Sequence, residues 1–157
     1  MQKAWVFDTA LGPMTAVERD GALVALDFGE RPPEGGQMEL TPLLKKAARQ
    51  LEEYFAGKRK AFDLPLQPKG TAFQQAVWQA LQQIPYGQTR SYAQIALAVG
   101  RPTATRAVGG ANHNNPISII IPCHRVIGAS GSLTGYGGGL DKKQALLLLE
   151  QTHVVKE

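Results

Sequence analysis

Two helix-start signatures set the strongest limit on what this chain can fold into. Thr71-Ala72-Phe73-Gln74 and Ser91-Tyr92-Ala93-Gln94 each place a hydroxyl three residues before a glutamine. In that pattern side chain and backbone cap each other at a helix N-terminus. After the first, Phe73, Ala76, Val77, Ala80, Leu81 and Ile84 recur at helical spacing, and Pro85-Tyr86-Gly87 ends the run. After the second, Ile95, Ala98 and Val99 form the apolar side. Gly100-Arg101-Pro102 breaks the chain, and a third helix is predicted from about Thr103 to Asn112. Two short helices joined by a glycine-containing turn read as helix-turn-helix.

The preceding part has a different texture. Trp5-Val6-Phe7, Met14 to Val17 and Leu23 to Phe28 read as short strands, with turn signals at Gly12-Pro13 and Asp20-Gly21. Thr41-Pro42 starts a helix whose apolar face is Leu44, Ala47, Ala48, Leu51 and Phe55, stopped at Gly57. Its other face, Lys45, Lys46, Arg49 and Glu53, reads as solvated. Ala61 to Leu66 is expected to add a strand, and Leu66 to Gly70 reads as a linker. The chain is therefore predicted to be α/β of the α+β kind, with an N-terminal domain over 1–66 and a mainly helical domain over 67–157.

The chemistry concentrates near the lone cysteine. Ile117 to Ile121 reads as a buried strand, stopped by Pro122, with Cys123, His124 and Arg125 following. If Pro122 opens a helix, Cys123 sits near its N-terminus, where positive backbone charge favours a thiolate. His124 and Arg125 act in the same direction. The simpler alternative is a buried, inert cysteine, since free cysteine is among the most buried residue types.

Ala104, Ala107, Val108, Gly109, Gly110 and Ala111 leave the third helix almost without bulk, with Arg106 as its one long cation. Such a helix either packs tightly on a neighbour or enters a nucleic-acid groove. In a groove it would read few base edges, so binding would be largely sequence-independent. Asn114-Asn115-Pro116 is a turn, Gly128 to Gly139 a glycine-rich loop. Asp141 is expected to cap a last helix, buried through Leu146 to Leu149 and ending near Glu150. That glutamate is either exposed at the helix end or the partner of His124.

The 43% hydrophobic content suffices for a core, and one cysteine excludes an internal disulfide or a cysteine-rich zinc site. No apolar run reaches the roughly 18 residues of a membrane span. Met1-Gln2-Lys3-Ala4-Trp5 lacks the apolar core of a signal peptide, so a cytoplasmic location is expected. The net charge of +4 permits a polyanionic partner without requiring one.

From Thr71 to Glu150 the chain resembles the O6-alkylguanine-DNA alkyltransferases, the methylated-DNA–protein-cysteine methyltransferases. The matching features are Phe73-Gln74 with Val77-Trp78, Ile84-Pro85-Tyr86-Gly87, Ser91-Tyr92 and Arg106-Ala107-Val108-Gly109. They continue through Asn115-Pro116, Pro122-Cys123-His124-Arg125 and Gly135-Tyr136 to Glu150, in that order. The resemblance implies an RNase H-like, three-layer-type N-terminal domain with a short antiparallel sheet. It implies a suicide transfer of an alkyl group from guanine O6 in double-stranded DNA to Cys123, with the nucleotide flipped out through the minor groove. His124, through a water, would be the general base, oriented by Glu150. Asn115 would hold the loop and Tyr92 would donate to the departing guanine. Tyr136 and Gly137 would shape the pocket, backbone at Val126 would meet the base edge, and Arg106 would fill the vacated stack. Arg125, Ser91, Ala107 and Gly110 complete the expected DNA- and base-contacting set. No metal or cofactor is implied, and a monomer is expected. Gly137 stands where many members carry serine or alanine, and Leu149-Glu150-Gln151 where they carry His-Glu-Gly.

Three other readings stand beside this one: a non-catalytic sensor of alkylguanine, a Cys–His–Glu hydrolase, and a helix-turn-helix regulator with a structural cysteine. The residues leave open the alkyl preference and any action on O4-alkylthymine.

Overall fold

The structure, a computed structural model, describes residues 1–131, 136 and 139–154. It divides into two compact units. The first comprises Met1–Lys69 with Pro116–Ser118, the second Gly70–Asn115 and Ile119–Glu157.

In the first unit, β1 (Gln2–Thr9), β2 (Gly12–Arg19) and β3 (Ala22–Phe28) form an antiparallel meander. The β2–β3 turn is Asp20-Gly21, at φ 52° and 80°. Positive φ at both positions is the turn whose twist matches the strands it joins. The edge strand β4 (Gln37–Met38) runs parallel to β1, so the sheet order is β3-β2-β1-β4. Helix α1 (Pro42–Phe55) packs against β1 and β2. Thr41 caps it by accepting from the Leu44 N–H, and Pro42 takes the first turn, where no N–H is needed. It ends as expected at Gly57, φ 77°, with Lys58 N–H donating to Glu53 O and Gly57 N–H to Tyr54 O. Leu44, Ala47, Leu51 and Tyr54 join Ala4, Met14, Ala16, Leu23 and Leu26 in the core.

Two expected strands are absent. Over Ala61 to Leu66 only Leu66 pairs, as a single bridge to Leu23. The buried Gln50 side chain instead takes both backbone groups of Asp63, accepting from its N–H at 3.0 Å and donating to its carbonyl at 3.3 Å. Over Ile117 to Ile121 only Ile117 pairs, bridging Leu26. The chain then turns, with Ile119 in the left-handed region at φ 71°. β-branched Ile disfavours that region, and a strand cannot pass through it.

The second unit begins at Gly70, where an added Cβ would lie 2.5 Å from the Trp78 ring. Helix α2 (Ala72–Gln82) and helix α3 (Tyr92–Ala98) carry both predicted capping boxes. Trp78 is buried in α2 and donates its Nε1–H to Ala111 O at 2.9 Å, tying α2 to α4 (Thr105–His113). Between α2 and α3 lies β5 (Arg90–Ser91), which pairs in parallel with β6 (Val126–Ile127). That ladder sets Ser91 and Tyr92 beside the segment that follows the cysteine. Cys123–Arg125 is one turn of 3-10 helix. The last helix, α5 (Leu140–His153), is capped not by Asp141 but by Gly139 at φ 105°, and Asp141 falls in its first turn. Of its four consecutive leucines Leu146 is fully buried, whereas Leu148 is exposed, so the helix is half-covered rather than enclosed.

Candidate active site and nucleic-acid interface

The cysteine loop is built from backbone constraints. Pro122, at φ −80° and ψ 65°, makes a three-residue turn in which Cys123 N–H donates to Ile121 O at 2.7 Å. Asn115 Nδ2 donates to the same carbonyl at 2.7 Å, which fixes the loop from the far side. Asn112, at the end of α4, donates Nδ2 to Cys123 O at 3.3 Å. Cys123 is 4% exposed. The expected helix N-terminus is a single 3-10 turn, too short to supply a helix macrodipole. Burial pushes the Cys123 thiol up to about 11. Hydrogen bonding to Asn115, the Lys143 charge, a backbone N–H and Tyr136 oppose that rise without reversing it. Cys123 is therefore a protonated thiol at neutral pH, not the resting thiolate that its neighbours suggested.

Beside it lies a buried charged cluster. His124 is fully buried, and its Nε2 lies 2.7 Å from Glu150 Oε2. Arg125 grips the same carboxylate at two points, Nε to Oε1 at 2.8 Å and Nη2 to Oε2 at 2.9 Å, and gives Nη1 to Ile84 O at 2.7 Å. The Gly87 N–H approaches Oε1 at 3.3 Å. Burial alone would raise the Glu150 pKa. The hydrogen bond from His124, then the hydrogen bonds and charge of Arg125, outweigh it and hold the carboxyl well below its usual range. An ionised Glu150 accepts, so His124 Nε2 carries the proton and Nδ1 is left as the basic nitrogen. Nδ1 is buried and has no hydrogen-bond partner among the described residues. Burial lowers the His124 pKa, and the Arg125 charge works in the same direction.

The sequence expectations divide here. Cys123, His124, Glu150 and Asn115 belong to one connected set of contacts, and Glu150 is 1% exposed rather than a solvated helix end. Arg125, expected on the DNA, is 7% exposed with its donors turned inward to Glu150 and Ile84. Val126 gives its carbonyl to Lys143 Nζ at 2.6 Å. Lys143 is fully buried and was missed in the sequence. It shares one face of α5 with Leu146 and Glu150, but only the folded chain shows that this face is the covered one. Asn112 likewise carries no sequence signal. Tyr136 is buried, and Gly137 lies outside the described residues.

On α4, Arg106, Ala107 and Gly110 are exposed and lie on one face. A Cβ added at Gly110 would meet nothing within 4 Å, so its smallness serves no internal packing. Gly109 instead faces Tyr92, whose ring would lie 3.9 Å from an added Cβ. Ser91 is committed to its capping box.

Two outcomes follow. Glu150→Gln leaves the buried Arg125 charge without its counter-ion and the His124 ring without its charged acceptor. It is expected to destabilise the fold by about 3–5 kcal/mol in urea unfolding at neutral pH. A depressed carboxyl contributes stability above its unfolded value of 4.5 and loses it as pH falls through its lower folded value, so the difference should shrink only in strong acid. Second, because the His124 pKa lies below 6.5, any reaction using it as base should keep its rate across neutrality. Single-turnover rates against pH should fall only below that value.

Comparison with known proteins places these features. Residues 72–152 match the 6-O-methylguanine DNA methyltransferase DNA binding domain, and residues 4–68 match the ribonuclease-like domain of the same proteins. A methylated-DNA–protein-cysteine methyltransferase of Methanosarcina barkeri is 50% identical over 95% of this chain and 97% of its own length. One from Mycolicibacterium paratuberculosis is 52% identical over 93% and 90%. The crystal structure of Mycobacterium tuberculosis O6-methylguanine methyltransferase superimposes with a TM-score of 0.92 at 46% identity, covering 100% of this chain and 97% of that one. The M. tuberculosis OGT in complex with DNA gives 0.90 at 47% identity, covering 96% and 94%. With both domain models matched in order and half of all residues shared with such relatives along nearly the whole length, the chain belongs to the methylated-DNA–protein-cysteine methyltransferase family.

Proposed function

We propose that this chain repairs alkylated DNA by direct reversal, moving a methyl or other alkyl group from O6 of guanine to Sγ of Cys123. The observation that carries this reading is the His124–Glu150 pair beside a single buried thiol. A neutral imidazole, its Nε2–H held by an ionised carboxylate, has one basic nitrogen left, and the adjacent residue is the nucleophile. The thiol needs such a base because burial keeps it protonated.

The step balances as an in-line displacement. The Cys123 proton passes to His124 Nδ1 through a water. The sulfur lone pair forms the new S–C bond, and the O6–C bond breaks with its electrons going to guanine. Tyr92 donates a hydrogen bond or proton to the departing base. No hydrolytic route returns a thioether to a thiol, and the chain has no second cysteine, so each molecule acts once. Arg125 serves by holding Glu150, and Asn115 by holding the loop. Tyr136 shapes the pocket.

Double-stranded DNA is the partner. The target nucleotide is flipped out through the minor groove, α4 enters that groove, and Arg106 fills the vacated stack. Flipping costs a few kcal/mol and brings an otherwise stacked atom to the sulfur. The open small-residue face of α4 supports this, as does the DNA complex of the M. tuberculosis relative. Recognition and chemistry are assigned to residues 67–157, and residues 1–66 form the ribonuclease-like part. The chain acts as a monomer in the cytoplasm and needs no cofactor. Among the described residues, no helix is long and apolar enough to cross a membrane.

Intact mass after incubation with a duplex carrying O6-methylguanine tests the chemistry. One methyl gained per protein at one equivalent, with none on Cys123→Ala, is the expected result. Tight lesion binding with no mass gain would mark a sensor instead, and turnover on thioesters a hydrolase. For the interface, Gly110→Leu should fold normally in thermal melts, because its side chain has open space, yet bind duplex DNA at least about tenfold more weakly, because the added bulk stands in the groove.

A further inference from the structure

No Asp or Glu occurs between Asp63 and Asp141, a stretch that includes α2, α3 and α4. Helices α2 and α3 carry no charged residue at all. From Gly70 to Leu140 the only Lys or Arg residues are four arginines. Arg90 spends its side chain locally, on Gln88 and the Thr89 carbonyl. Arg125 is interior. Arg106 stands on the open face of α4. Arg101, in the turn between α3 and α4, is the remaining one, and neither the transfer chemistry nor the groove-facing strip uses it.

Arg101 is exposed, yet it is held at both ends. Its backbone closes the end of α3. Gly100 takes φ 76° and donates to Leu97 O, Arg101 N–H donates to Ala96 O at 2.9 Å, and Arg101 O accepts from Ala104 N–H at 2.9 Å. Its guanidinium carbon lies over the Phe73 ring, 5.9 Å from the centroid. Contact through the ring face consumes none of the guanidinium N–H donors, and Arg101 has no ion pair with a carboxylate among the described residues. An exposed arginine normally loses considerable rotamer freedom when it binds. Here part of that ordering has already occurred, on a residue that stays exposed and keeps its planar fork of donors. A planar fork suits a phosphate.

We propose that Arg101 is a DNA-backbone phosphate contact, and that Phe73 is the positioning residue that preorders it. The proposal rests on the DNA-repair reading and adds to it a fixed anchor at the helix-turn-helix corner, separate from the groove-facing strip of α4. Such an anchor sets register on the duplex without reading its sequence.

Salt dependence of binding to undamaged duplex DNA, measured with the full chain, tests it. Each phosphate contact contributes about 0.9 to the slope of log K against log salt. Arg101→Gln should lower the slope by about that amount and weaken binding equally across unrelated sequences. Arg101→Lys should keep the slope. Phe73→Leu should also keep it, because the charge remains, but should bind about two- to tenfold more weakly because the arm is no longer preordered. An unchanged slope in Arg101→Gln overturns the contact. A lowered melting temperature together with an unchanged slope would mark the Arg101–Phe73 pair as structural only, and overturns the contact equally. Equal binding by Phe73→Leu and the unaltered chain overturns the preordering. If the unaltered chain shows no salt-dependent binding, the DNA reading itself fails and this proposal falls with it, an outcome visible before any variant is compared.

Discussion

The carboxylate of Glu150 is the point on which the second unit's chemistry depends. A carboxylate with 1% exposure would shed its charge if it were alone, because low-dielectric surroundings penalise the ionised form. It keeps the charge because four N–H donors from two chain segments converge on its two oxygens: the His124 ring, two guanidinium nitrogens of Arg125, and the Gly87 backbone. The cluster thereby joins α5, the cysteine turn and the Pro85–Gln88 turn. Bringing two charges inside costs energy, and that cost is recovered only if both remain paired. The arrangement accordingly fixes position more than it adds net stability, and what it fixes is the tautomer and tilt of one imidazole.

The same interior sets the resting state of Cys123. A thiolate exposed in the cell would react with any electrophile. Here burial keeps Cys123 protonated, and the countervailing influences of Asn115, Lys143 and Tyr136 only moderate the effect. The same burial favours the neutral form of His124, so the thiol and the imidazole beside it are both held uncharged by one cause. Helix α4 shows the opposite arrangement, with Arg106, Ala107 and Gly110 exposed while Val108 and Ala111 hold the helix to the interior.

Much of the fold was legible because it rests on local chemistry. The hairpin at Asp20-Gly21, the caps at Thr41, Thr71 and Ser91, and the stop at Gly57 are each specified by residues within a few positions of one another. The departures arise where distant groups compete for the backbone. Gln50 takes the Asp63 peptide groups that a strand would have used. Ile117 to Ile121 has the composition of a strand, yet Ile119 turns with positive φ. Burial of the side chains satisfies the hydrophobic pattern in either conformation, so composition could not choose between them. Asp141 looks like a cap, but Gly139 reaches the geometry first because it has no Cβ.

The site divides along the same line. By itself the sequence determined that this chain has one possible thiol nucleophile, a histidine next to it, a helix without bulk, and a family order of motifs. Those are properties of residue identity and spacing. Only the tertiary structure decided that Glu150 meets His124, that Arg125 turns inward to hold that carboxylate instead of outward to DNA, and that Lys143 is buried near the sulfur. Each of these depends on α5 crossing behind the cysteine turn. No periodicity within α5 encodes what it will meet, because a salt bridge between residues 25 apart forms only after the chain has closed the loop between them.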